Sequence, residues 1–174
     1  QSMDYINMCA SYMDLGDRNK AYEIITVGQS AYPNDIDILF VKSRTIDDKT
    51  KEVEILMQIL NFEYKVQPRF FDYATVYNNI AWNYCCIGKF EEGLVYAEKA
   101  IARNKSHDYI WETLGELYYN TGNYEKCIDA MTQCIGCSNN NNIIQSALSF
   151  RGKSHLKLGN NKQGKIDLKA ADRM

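Results

Sequence analysis

One stretch constrains the fold of this chain more than any other: Trp111-Glu112-Thr113-Leu114-Gly115-Glu116-Leu117-Tyr118, which recurs upstream in looser form. Tyr77, Ile80, Ala81, Tyr84 and Gly88 become Trp111, Leu114, Gly115, Tyr118 and Gly122, each 34 residues later. Self-similarity at that period marks an array of stacked helix pairs, because one pair cannot cover its own apolar faces and needs neighbours to do so. A third copy, Leu148, Arg151, Gly152, His155 and Gly159, is displaced by 37 residues, and the extra three fall in the run Asn139–Asn142, an enlarged polar loop. A fourth copy opens the chain with Tyr5, Met8, Cys9, Tyr12 and Gly16. From Gly16 to Gly88 is 72 residues, room for one more unit where the pattern is weakest. The expected organisation is a single array over 1–174, with units at about 2–35, 36–73, 74–107, 108–144 and 145–174.

Each unit carries two apolar-periodic segments around a glycine. Trp111, Leu114, Gly115 and Tyr118 follow i, i+3, i+4, i+7, which places them on one helical stripe. Gly122 then ends the helix, since glycine takes the left-handed cap conformation without steric cost. Tyr124, Cys127, Ile128, Met131 and Cys134 trace the second stripe. Gly115, Cys127 and Cys134 are small enough for close helix approach, and the large aromatics fill the space between units.

These residues resemble tetratricopeptide repeats: W-x2-L-G-x2-Y, a mid-unit glycine, a small residue in the second helix and an apolar one four later. The likeness is strongest over 74–141 and poorest over 36–73. The family's usual boundary proline survives only as Pro33, with Lys105 and Asn139 in later copies, and Arg151 and His155 replace apolar columns in the last unit. The resemblance implies an all-α, right-handed superhelical solenoid of antiparallel helix pairs. It also implies a non-catalytic scaffold that binds a peptide or helix of a partner protein in its concave groove. The alternative is an architectural segment of a larger assembly, making its contacts through the array ends.

Composition narrows the classes. Hydrophobic residues are 45% and charged residues 24% of the chain, with a formal net charge of −2, which exerts no global pull on nucleic acid or an anionic membrane. The charge is polarised: residues 145–174 carry seven Lys/Arg and two Asp/Glu, a local +5, and the remainder carries −7. Self-association through the basic C-terminal end is one expectation from that asymmetry. RNA binding is not expected, because the acidic remainder would repel a polyanion. The longest uncharged run, Ala130–Phe150, contains four consecutive asparagines and is too polar to cross a membrane. The six cysteines need no pairing in a fold of this size, and Cys9, Cys127 and Cys134 occupy columns where other copies carry Ala or Gly. Reduced thiols and a cytoplasmic setting are the expectation.

Opposite the packing stripes, a helical wheel places four rows on the concave side: Met3, Asn7, Ala10, Asp14; Thr75, Asn79, Trp82, Cys86; Tyr109, Thr113, Glu116, Asn120; and Ser146, Phe150, Lys153, Lys157. The expected peptide-binding groove comprises Asn7, Asn78, Asn79, Trp82, Tyr109, Thr113, Glu116, Asn120, Phe150, Lys153 and Lys157. Trp82, Tyr109 and Phe150 are the candidate aromatic anchors. Asn78, Asn79 and Lys153 are fragments of the family's carboxylate clamp, but Glu116 between them argues against anion capture.

Motifs suggestive of chemistry fail on context. Ala147-x4-Gly152-Lys153-Ser154 matches a permissive phosphate loop, yet it falls mid-helix, where backbone N–H groups are already bonded. Cys134-Ile135-Gly136-Cys137 is a lone CxxC without a second pair. His107 reads as a turn residue and His155 as a hydrogen-bonded, part-buried side chain. No catalytic residue, cofactor or metal is expected.

Overall fold

The structure, a computed structural model, describes residues 1–174. Ten helices follow in order: α1 (Ser2–Asp14), α2 (Arg18–Ala31), α3 (Ile36–Ser43), α4 (Lys49–Leu60), α5 (Tyr73–Cys86), α6 (Phe90–Arg103), α7 (Asp108–Asn120), α8 (Tyr124–Cys137), α9 (Asn141–Lys157) and α10 (Asn161–Ala171). They pack as five antiparallel pairs, and each second helix also packs on the first helix of the following pair. No strand is present.

Local chemistry sets the helix ends. Asp17, Asp35, Asp48, Asp72 and Asn140 cap α2, α3, α4, α5 and α9, each accepting backbone N–H bonds that the first turn leaves open. Four of the five within-pair turns place glycine at φ between 76° and 80° (Gly16, Gly88, Gly122, Gly159), a region that costs a side-chain-bearing residue steric energy. The second pair has no such glycine and turns through 44–48 onto the Asp48 cap.

The core is a chain of five small clusters strung along the array. The largest joins α3, α4 and α5 through Ile36, Leu39, Phe40, Val53, Leu56, Ile59, Val76 and Ile80. Small residues do what their columns require: Cys9, Ala81, Cys127 and Cys134 are buried at helix contacts. At Gly115, an added Cβ would lie 2.7 Å from the Met131 methyl carbon. The last pair is held differently. Arg151 donates from Nε (2.8 Å) and Nη2 (3.0 Å) to the buried Asp167 carboxylate, so an ion pair replaces the apolar contact of earlier units. His155 is half-buried, as expected, but its Nδ1 has no hydrogen-bond partner, contrary to the hydrogen-bonded side chain expected from the sequence.

The second pair departs most from the repeat. α3 is two turns long, and six of its eight residues are buried. Of the successive first helices, α1 touches α3, α5 touches α7 and α7 touches α9, but α3 does not reach α5. The 61–72 segment after α4 returns along the array, where Arg69 donates to Asp37 (Nε, 2.6 Å) and Asp35 (Nη2, 2.7 Å).

Candidate partner-binding face

A pocket of about 290 Å³ opens between the α3–α4 turn and α5. Asn79 and Trp82 of α5 form one wall; Arg18, Arg44, Ile46, Lys49 and Glu52 form the other. Trp82 is 44% exposed, a large exposure for the side chain with most apolar area to bury. Arg18 pairs with Asp47, and Lys49 pairs with Glu52 at 3.0 Å. Arg44 has no carboxylate partner, so the pocket carries one uncompensated cation beside an exposed indole.

The eleven residues anticipated for the groove divide into three groups. Asn7, Trp82, Asn120, Lys153 and Lys157 are exposed. Asn79, Tyr109, Glu116 and Phe150 are half-buried between neighbouring helices. Tyr109 sits within hydrogen-bond distance of Thr75 Oγ1 (3.1 Å) and stacks on His107, and Phe150 packs edge-on against Tyr119 with the Lys153 ammonium over its ring. These two aromatics therefore bind helix to helix and are not free anchors. Asn78 and Thr113 are corrections: both are buried, because the adjoining helices cover that flank of the stripe. Thr113 spends its hydroxyl on Tyr109 O at 3.0 Å, and Asn78 Oδ1 has no partner.

Along the row Ala10, Trp82, Glu116, Lys153, one position per well-defined unit, Glu116 is half-buried and the other three are exposed. Its electrostatics alternate. Burial pushes the Glu116 carboxyl up, the Glu112 charge one turn away adds to that, and Lys153 on α9 opposes it. Burial likewise pushes Glu112 up, with the Ser146 hydroxyl opposing and Asp108 reinforcing. The pocket beside α5 is thus cationic, α7 carries an acidic pair and α9 carries lysines. Arg44, Ile46 and Lys49 escaped the sequence reading because they belong to the unit whose repeat pattern is erased.

The phosphate-loop look-alike lies inside α9, and the CxxC lies in α8 with Cys134 buried. All six cysteines are free thiols, and burial pushes Cys127 up to about 11 and Cys134 up to about 12, which makes poor nucleophiles and poor metal ligands of them. No helix is long and apolar enough to cross a membrane.

A right-handed superhelix of antiparallel helix pairs, with first helices along one face and second helices along the other, is the architecture of tetratricopeptide-repeat proteins, a class of protein-interaction scaffolds. The family model described as Tetratricopeptide repeat matches residues 109–141, the unit that carries the full motif. Solved structures of MamA share the fold along the whole length. The MamA RS-1 ArsTM double mutant superposes with a TM-score of 0.83 at 13% identity, covering 99% of this chain and 94% of that one. MamA 41-end from Desulfovibrio magneticus RS-1 gives 0.83 at 14% identity, covering 99% and 93%. A crystal structure of MamA protein gives 0.81 at 18% identity, covering 98% and 89%. At such identities the likeness is one of fold. Comparison with functionally curated proteins finds no match.

Proposed function

We propose that the chain is a non-catalytic scaffold whose concave face binds a segment of a partner protein, anchored at the Asn79–Trp82 pocket. The observation that carries this reading is Trp82. Tyr109 and Phe150 are built into helix contacts, whereas this indole stands 44% exposed over a pocket with an unpaired arginine. A half-exposed Trp beside a guanidinium is the composition of an interface hot spot. Asn79 adds a carboxamide able to pair with a peptide backbone. Free thiols at helix contacts suit a reducing compartment.

The test begins with peptides selected on the immobilised wild-type protein from a displayed library. Trp82→Ala should weaken the selected peptides by about 2 kcal/mol or more, some thirtyfold in Kd. Arg44→Ala should weaken the subset bearing an acidic residue. Melting curves should stay unchanged for both variants. Peptides that bind both variants as they bind wild type would remove the groove from consideration.

A further inference from the structure

A second cavity lies on the opposite side of the array. About 640 Å³ opens on the convex face between α6 and α8, floored by Trp111, Leu114 and Tyr118 of α7 and flanked by Ile101 and Ala130. Its cause is legible in the repeat. Position 130 corresponds to Tyr96 one unit earlier, 34 residues upstream. There the Tyr96 ring fills the space between α4 and α6, 6.3 Å from the Tyr77 ring and 5.7 Å from the Tyr84 ring, and its hydroxyl reaches Met57 Sδ at 3.5 Å. Tyr77 and Tyr84 are the counterparts of Trp111 and Tyr118. One unit later the same position is Asp167, and the Arg151–Asp167 ion pair fills the junction between α8 and α10. Both neighbouring junctions are closed from within, and the middle one is left open by an alanine.

We infer that this convex groove is a docking pocket for a tyrosine side chain presented by a partner protein. The ring would take the place that Tyr96 occupies at the preceding junction, against Trp111 and Tyr118. The rim favours tyrosine over phenylalanine. Counting from the helix starts, Glu98 on α6 stands where Met57 stands on α4, so the incoming hydroxyl meets a carboxylate, a stronger acceptor than a thioether. Glu98 accepts from Tyr118 through Oε1 at 3.1 Å, which leaves its other oxygen for a guest. The rim also favours a protein over a small apolar ligand. Lys105, Lys126 and Asp129 surround the floor without ion-pair partners in the chain, a mixed-charge border that a polypeptide bearing both signs complements. This groove is separate from the concave pocket, so the two sites stand or fall independently.

The test uses the Trp82→Phe variant, which leaves Trp111 as the sole indole, and three alanine-based helical peptides. Each carries Lys and Glu around a central Tyr, Phe or Ala. The Trp111 indole N–H resonance should shift saturably with the Tyr peptide. The Phe peptide should bind about fivefold to tenfold more weakly, and the Ala peptide not at all. Ala130→Tyr fills the groove from within and should abolish the shift. Tyr96→Ala opens a second groove and should raise the calorimetric stoichiometry from one peptide to two, which gives a readout even if Ala130→Tyr fails to fold. Equal binding of the Tyr and Ala peptides, or an Ala130→Tyr protein that is folded and binds unchanged, would overturn the inference. Binding of N-acetyl-tyrosinamide as tight as that of the peptide would also overturn it, and would make the groove a small-molecule site.

Discussion

Two glycine-to-alanine substitutions, chemically identical, should move stability in opposite directions. Gly164 sits in α10 where it crosses α9. A Cβ added there would lie 2.7 Å from Leu156 Cγ and Cδ2 and 2.8 Å from the Gly152 carbonyl oxygen. Leu156 is flexible and can swing aside, but a backbone carbonyl cannot, so α10 must lift away from α9. Alanine in a helix interior gains roughly 1 kcal/mol over glycine. Overpacking against a fixed backbone costs roughly 1–3 kcal/mol, and lifting α10 also stretches the Arg151–Asp167 pair beside it. Gly164→Ala should therefore destabilise by about 1–2 kcal/mol. Gly136 lies in the last turn of α8 with nothing within 4 Å of the added carbon, so Gly136→Ala should stabilise by about 0.5 kcal/mol. With a urea slope of about 2 kcal/mol/M, the two midpoints should stand about 1 M apart, on either side of wild type. Equilibrium unfolding followed by far-UV circular dichroism reads this directly. The slopes must agree among the three proteins, since repeat arrays lose cooperativity when one end melts first. A Gly164→Ala midpoint at or above wild type would refute the close-crossing argument.

Asp167→Asn should cost about 2–3 kcal/mol, because it strips the part-buried Arg151 guanidinium of its bidentate partner while Thr132 and some solvent remain. Replacing both residues by leucine should recover most of that loss in thermal melts, and a single-variant cost below about 0.5 kcal/mol would contradict a structural role for the pair. Glu112 and Glu116 hold their protons more tightly folded than unfolded, so they penalise the fold above their raised values. That penalty lifts as pH falls through those values toward the ordinary 4.5. Lys153→Met removes the cation that opposes the shift and should move the Glu116 carboxyl resonance titration to still higher pH; an unmoved titration would show that Lys153 does not act on it.

The repeat columns were readable because each obeys one steric demand in every copy. A small residue is needed where helices cross, a ring between units, and glycine where φ turns positive. α3 was not readable, since a two-turn helix apolar on nearly every side has no periodicity to detect. For the same reason Arg44 and Lys49 were invisible as groove residues. Trp82 could be placed from a helical wheel alone. Asn78 and Thr113 could not, because a wheel separates inside from outside but cannot tell which flank a neighbouring helix will cover. The convex groove needed coordinates: Ala130 is an unremarkable helix former until Tyr96 is seen filling the corresponding space.

Arg69 carries a consequence for the order in which the molecule assembles. Its guanidinium holds the caps of α3 and comes within 3.4 Å of Ser2 at the start of α1, a partner 67 positions earlier. In a solenoid whose modules touch only their immediate neighbours, the leading modules could settle as soon as they emerge from synthesis. Here the buried Asp37 carboxylate waits for a counter-charge on a segment made after α4 is complete. The first two hairpins and the strap that follows them are thereby tied together, which couples residues 1–72 in folding.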